Sequence, residues 1–325
     1  MSEDEPLYDV VALGEVMVRL ASRAPVRLEQ ARELDVTIGG TEANVLCALS
    51  RLGLRTAWIS ALPQNPWGDR VGRELRGHGV DVSAVVWRVR GRVGTYFLEY
   101  GLAPRPIRVL YDRQDSAFTT LSEEEVDWEV VRRSRAVHVT GVTPALGERP
   151  RGLTERAVEE AHAAGAFISL DVNYRAALWP PDEAGTYLES LLPRVQLMFV
   201  GLEDARRLFG HDGEPEAVAE ALRRRAPKAI VALTLGEQGS IVLADRVHRP
   251  TRLYPLDVVA DRVGAGDAFA AGFLYGLLTS HDVQYAQDCG TALGALKCTM
   301  WGDVALVRPG ELEELMAQPD PRIRR

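Results

Sequence analysis

"TEANVLCALSRLGLRTAWISAL", residues 41–62, reads as a helix, a turn and a strand in succession. In "TEANVLCALSRLG" (41–53), Ala43, Leu46, Leu49 and Ser50, with Gly53, fall on one face at helical spacing. The run "TAWISAL" (56–62) is apolar almost without interruption. A strand lacking a polar face must be covered on both sides, and a parallel sheet sandwiched between helices does this. Runs of the same kind recur as "DVVAL" (9–13), "AVHVTGV" (136–142), "AFISLDV" (166–172), "LMFVG" (197–201) and "AIVALTL" (229–235). Most are separated by segments with helical spacing, so the expected fold class is α/β: a doubly wound, mostly parallel sheet flanked by helices.

Two stretches break the rhythm. Residues 88–113 hold "GTYFLEY" and "PIRVLYDR", two alternating β runs joined by a Gly/Pro turn where a helix is due. The segment from Val18 to Ile38 has no helical period and ends in the strand-like "ELDVTI". Such insertions either form a flap over the ligand end of the sheet or only extend its edge, and the pattern leaves both open. The closing "PDPRIRR" (319–325) reads as a frayed tail.

Composition narrows the function. A chain of 325 residues with 46% hydrophobic content can bury a sizeable core, which excludes disorder as a whole. A net charge of −8 argues against nucleic acid as a partner and favours a small molecule, because phosphate backbones are held by clustered Lys and Arg. The three cysteines, Cys47, Cys289 and Cys298, show no metal-binding spacing and read as buried free thiols of a reducing compartment. The N-terminus, "MSEDEPLYDV", is acidic where a signal peptide is basic, and no apolar run reaches the length of a membrane span; a cytoplasmic location without a membrane partner is expected. The six histidines are scattered, and His138 in "AVHVT" reads as a satisfied strand residue. "SEEE" (122–125) reads as the capped start of an exposed helix.

The common nucleotide motifs are missing: there is no G-x-x-x-x-G-K-[ST], and no G-x-G-x-x-G follows the first strand. What remains is Gly264-Ala265-Gly266-Asp267, between the strand-like "YPLDVV" (254–259) and the small, apolar "AFAAG" (268–272). Glycines let a ligand approach the backbone, and free N–H groups at a helix start attract anions. Asp267 reads either as the N-cap of that helix or as a base taking the proton of an attacking hydroxyl. "IGGTEAN" (38–44) opens another helix; the Gly40 N–H and the Asn44 amide suit sugar hydroxyls, although Gly-Gly is also simply a turn. "LDVNYR" (170–175) puts Asp171, Asn173 and Arg175 on alternating positions past a strand, the end at which parallel sheets bind ligands. Arg175 could grip a carboxylate or phosphate with its planar fork, or form a surface salt bridge.

"GGTEANVLCALSRLG", "LDVNYR", "VALTLGEQGS" (231–240) and "DRVGAGDAF" (261–269) stand in the order and spacing of the ribokinase-like, or PfkB, carbohydrate kinases, which the chain resembles over residues 8–315. Through "LGEVMVRL" (13–20), "DVNYRAALW" (171–179), "VTGVTPAL" (139–146) and "EDARRLFG" (203–210) it looks most like the 2-keto-3-deoxygluconate kinase branch. The resemblance implies one ribokinase-like domain over 8–315, lid insertions near 18–38 and 88–115, and tails at 1–7 and 316–325. It implies ATP-dependent phosphorylation of the terminal hydroxyl of a sugar acid, with Mg2+ and, near Asp261, a monovalent cation; a strand-end turn residue is the other reading of Asp261. A fructokinase or other ketose kinase is the alternative within the family, and a non-catalytic nucleotide or sugar sensor the alternative outside it. A homo-oligomer formed through the lid is expected, since open sheet edges invite pairing.

Carried over position by position, the resemblance makes Asp267 the base and the amides of Gly264, Ala265 and Gly266 the anion hole. Thr234, Leu235, Gly236 and Gly239 would border ATP, with Asn173 nearby and Thr291 near the adenine. Gly40, Asn44, Tyr96, Tyr111, Arg113 and Arg175 would hold the sugar acid, two arginines suiting a carboxylate. Four departures stand out. Arg262 replaces the family's common Thr or Pro. The Asn-x-x-Glu motif reads Gly201-Leu202-Glu203-Asp204, leaving Asp204 as a candidate metal-water ligand. "LPQNPWGD" (62–69) places Trp67 where the family has Gly-x-Asp, and Asp112 beside Arg113 puts an acid where a carboxylate is to bind.

Overall fold

The computed structural model describes residues 5–102 and 104–317; the tail at 319–325 lies outside the described residues. The strands are β1 (Tyr8–Leu13), β2 (Met17–Ser22), β3 (Asp35–Gly39), β4 (Thr56–Pro63), β5 (Val85–Arg88), β6 (Gly94–Glu99), β7 (Arg108–Asp112), β8 (Ser134–Thr140), β9 (Phe167–Asp171), β10 (Leu197–Gly201), β11 (Ile230–Thr234), β12 (Ser240–Leu243) and β13 (Val247–His248). The helices are α1 (Thr41–Arg51), α2 (Pro66–Gly77), α3 (Glu129–Arg132), α4 (Glu148–Ala163), α5 (Pro181–Leu191), α6 (Leu202–Phe209), α7 (Pro215–Arg225), α8 (Ala265–Ser280), α9 (Val283–Cys298) and α10 (Pro309–Ala317).

The large sheet runs β13-β12-β11-β10-β9-β8-β1-β4-β5; β11 through β5 in that order are parallel, and β12 and β13 close one edge antiparallel. Every apolar run singled out in the sequence lies in it. Alternate residues of each run feed opposite faces, as the period of two requires. Val10, Ala12, Trp58 and Phe199 join α1, α8 and α9 in one buried cluster, while Val11, Leu13, Ile59 and Val200 join α4, α5 and α7 in another. The order reverses between β1 and β8, which makes the carboxyl ends of these strands the expected ligand crevice.

A second, four-stranded sheet, β3-β2-β6-β7, comes from the two stretches that broke the helical rhythm. Its β2–β6 pairing is parallel and its outer pairings antiparallel, with Tyr96 opposite Tyr111.

Three local expectations need correction. "YPLDVV" is not a strand: residues 254–259 form an irregular segment in which Pro255 has no N–H to donate and Val258 is largely exposed. "SEEE" forms a single capped 3-10 turn, not an α-helix, with Ser122 and Glu125 making the reciprocal cap. Gly53 lies beyond α1 at φ +96°, and it is exposed. Trp67 sits exposed in the first turn of α2, whose start is capped by the Asn65 side chain.

Candidate active site

The run of small residues in α8 permits close packing against α9: a Cβ on Gly272 would meet the Cys289 carbonyl at 2.5 Å. The start of α8 lies by the carboxyl end of the sheet, where Asp267 meets Asn173 just past β9. Gly264 flanks the helix in the left-handed region, at φ +86°, with no room for a side chain; a Cβ there would lie 2.0 Å from the Asp303 carbonyl oxygen. A Cβ on Gly266 would meet nothing within 4 Å, so the first turn opens onto free space.

Asp267 is therefore the third residue of α8 and not its N-cap. Its carboxylate accepts hydrogen bonds from outside its own helix: from Thr41 Oγ1 at 2.7 Å and from Asn44 Nδ2 at 2.7 Å. Both donors stand on the first turn of α1, one helical turn apart, so the start of α1 aims them at the start of α8. Gly40 donates its N–H to Asn44 Oδ1 at 3.3 Å, which orients the amide toward Asp267.

Asn173 belongs to the same cluster. Its backbone is left-handed, at φ +37°, a conformation unusual outside glycine that marks a position held by its surroundings. Its Nδ2 reaches Thr41 Oγ1 at 2.9 Å, Asp171 Oδ2 at 3.1 Å and Asp267 Oδ1 at 3.5 Å, while its buried Oδ1 has no partner. Two more carboxyls sit behind. Burial, with the Asp267 charge, pushes Asp171 up to about 7. Burial also pushes Glu42 up to about 7 against the opposing pull of the Thr143 and Thr140 hydroxyls, which donate to its Oε1 at 2.6 and 2.7 Å.

The small sheet contributes a second group. Arg113 is buried, lies 5.6 Å over the Tyr111 ring, and donates through Nε at 2.8 Å and through Nη2 to Glu15 Oε2. Glu15 Oε1 is buried and has no partner. Asp112 faces elsewhere, paired with Arg92, so the acid confronting Arg113 is Glu15, which no spacing rule singles out. Tyr96 is buried and donates its hydroxyl to Asp303 at 2.6 Å; Tyr111 is partly exposed. Arg175 is exposed and donates to the Tyr174 carbonyl at 3.2 Å; burial raises the carboxyls of Asp171 and Asp204, and the Arg175 charge offsets part of that rise.

The remaining candidates line a neighbouring stretch. Thr234 ends β11, and Leu235 N–H bonds the Gly239 carbonyl at 2.8 Å to close a tight loop, with Gly236 and Gly239 both at positive φ. Thr291 lies on α9, one turn from Gln287, whose amide donates to Ser240 at 3.0 Å and so docks that helix beside the loop. Arg262 pairs with Glu237 at 2.9 Å, tying the 235–239 loop to the turn before α8. Asp204, in the first turn of α6, is raised by burial, and no group of three or more potential metal ligands exists among the described residues. At Asp261 the carbonyl is engaged by the Lys297 ammonium at 3.0 Å, where the sequence expectation put a monovalent cation.

A glycine-lined helix start thus stands beside a buried carboxylate held by Thr41 and Asn44, on a large, mostly parallel sheet. The chain belongs to the pfkB family of carbohydrate kinases, whose signature matches residues 8–307. It is 38% identical to the 2-dehydro-3-deoxygalactonokinase of Haloferax volcanii, over 98% of this chain and 99% of that one. It is 30% identical to the 2-dehydro-3-deoxygluconokinase of Bacillus subtilis, over 91% of each. The crystal structure of the 2-dehydro-3-deoxygluconokinase of Thermotoga maritima superposes with a TM-score of 0.90 at 34% identity, over 96% of this chain and all of that one. The fold class expected from the sequence is the fold observed.

Proposed function

We propose that the chain transfers the γ-phosphoryl group of ATP to the terminal hydroxyl of 2-keto-3-deoxygluconate, giving the 6-phosphate. The observation that carries this reading is the Asp267 carboxylate, held by Thr41 and Asn44 beside the open first turn of α8. As the sugar oxygen bonds to phosphorus and the bond to the leaving ADP breaks, the hydroxyl proton passes to Asp267. The amides of Gly264 and Gly266 would face the transferred oxygens, with the α8 dipole behind them, while the Ala265 N–H, expected in the same anion hole, donates to the Arg262 carbonyl at 3.2 Å. Thr234, Leu235, Gly236 and Gly239, with Thr291, would border ATP; Asn173, whose bonds all run to the Asp267 cluster, positions the base. Mg2+, held mainly by the ATP phosphates and through water by Asp204, would neutralise phosphate charge. The small sheet is assigned as the lid of a domain spanning 8–315, and its closure would exclude water.

The relatives' substrates and Arg113 support a sugar acid. Glu15 takes the Nε and Nη2 of Arg113, leaving Nη1 for a ligand carboxylate, with Tyr96, Tyr111, Gly40 and Asn44 near the hydroxyls and Arg175 at the rim. The same Glu15–Arg113 pair favours a second reading, a neutral ketose such as fructose, because it compensates the arginine already. A panel of 2-keto-3-deoxygluconate, its galactonate epimer, fructose and ribose with ATP separates the two. The keto-acids should lead in kcat/KM; equal or faster turnover of fructose would sink the sugar-acid assignment. We also assign a cytoplasmic location, in keeping with three free thiols, of which Cys47 and Cys289 are buried and Cys298 is half-buried. The edge strand β7, exposed at all five residues, is assigned as the contact to a second copy.

A further inference from the structure

The turn before α8 is built on a buried, charge-balanced cluster. Arg19, from β2, reaches both Asp261 and Asp303, and Tyr100 donates to Asp261 at 2.6 Å. Lys297, in the last turn of α9, is fully buried, and its Nζ donates to the carbonyl of Asp261 at 3.0 Å and to that of Met300 at 3.4 Å. Arg19 thus pairs with both carboxylates, and the Lys297 ammonium sits on the backbone carbonyls beside them. The end of α9 pins the same backbone a second time: the N–H groups of Ala260 and Asp261 both donate to the Cys298 carbonyl, at 2.8 and 3.3 Å. Three residues further on stands Gly264, pressed against Asp303, the other acid of the cluster.

The resemblance led to the expectation of a monovalent cation here, and the residues do not fit one. The Asp261 carbonyl already accepts from an ammonium, and both neighbouring carboxylates are paired with Arg19. A further cation would meet like charge in a buried site, where screening is weak. An ammonium is a compact point charge with three donors, suited to a nest of carbonyls.

We propose that the Lys297 ammonium is the resident cation behind the phosphoryl-binding turn, so that this kinase works without added potassium or sodium. Lys297 acts as a positioning residue: it touches no substrate but holds the Asp261 end of the turn that presents Gly264, Ala265 and Gly266. The inference rests on the kinase reading and not on the identity of the sugar, so the test uses whichever sugar the panel shows to be turned over. Initial rates and melting temperatures are measured for the wild type at equal ionic strength in tetramethylammonium, sodium and potassium chloride. Both should be insensitive, with rates within about twofold of one another. Lys297→Ala should lose at least about tenfold in kcat and recover on addition of ammonium or potassium ions, with a cation-dependent rise in melting temperature that the wild type lacks. Potassium stimulation of the wild type by about tenfold or more would overturn the proposal, as would full activity of Lys297→Ala in tetramethylammonium alone. If that variant fails to fold, the wild-type comparison decides by itself.

Discussion

Glu42→Gln should change how the fold's stability depends on pH. Glu42 is fully buried between Thr140 and Thr143, and burial moves its carboxyl from 4.5 up to about 7. A carboxyl that holds its proton more tightly when folded favours folding below its unfolded value. That advantage is lost as pH rises from about 4.5 through about 7, where the unfolded chain has released its proton and the folded chain has not. The gap is roughly 2.5 pH units, and at about 1.4 kcal/mol per unit the full loss is about 3.5 kcal/mol, of which about 3 kcal/mol falls between pH 4.5 and 8. Glutamine keeps an oxygen for the two hydroxyls and cannot ionise. The stability of Glu42→Gln minus that of the wild type should therefore rise by about 3 kcal/mol between pH 4.5 and pH 8. Asp171 has a shift of the same sign and is present in both proteins, so it largely cancels in the difference. Urea unfolding across this pH range, with equal slopes confirming comparable exposed surface, reads the quantity directly. Parallel pH profiles for the two proteins would refute the reasoning, because they would mean that Glu42 titrates alike in both states.

The other predictions concern the site. Gly264→Ala forces a side chain onto a left-handed residue facing backbone, and should cost about 2 kcal/mol or more of stability together with about 100-fold in kcat. Gly266→Ala, pointing into open space, should melt near the wild type yet lose phosphoryl transfer, so thermal and kinetic measurements on the pair separate the fold's need from the ligand's. Arg175→Gln should raise KM for a keto-acid by about tenfold and leave a neutral ketose nearly unaffected, as steady-state kinetics on both substrates would show. Arg113 is a poorer probe of the same point, since its removal leaves Glu15 buried and unpaired.

Sequence patterns reached those features whose signal is local. The apolar runs specify buried parallel strands because both faces must be covered, and "GAGD" carries its own backbone requirement at Gly264. "YPLDVV" misled because alternation alone does not register the missing N–H of Pro255. The amide of Asn173 reaches Asp267 from a left-handed backbone, a contact that no spacing reveals. The charged pairs are the least legible, because they join distant segments: Arg19 and Asp303 are 284 residues apart, and Glu15 and Arg113 are 98 apart. The burial of Lys297 in α9 and of Arg19 in β2 is likewise a property of the folded chain that composition does not record. Thr41 and Asn44 were more accessible, since polar residues three apart at a helix start share a face.

The chemistry itself turns on Asp267. Asp267→Asn retains an oxygen for Thr41 or Asn44, so the fold should persist, but the proton acceptor is gone. Measured with ATP and the sugar the enzyme prefers, kcat should fall by about 1,000-fold with KM changed little, the range for loss of a general base. A variant that folds and turns over within about threefold of the wild-type kcat would show that Asp267 does not take the proton.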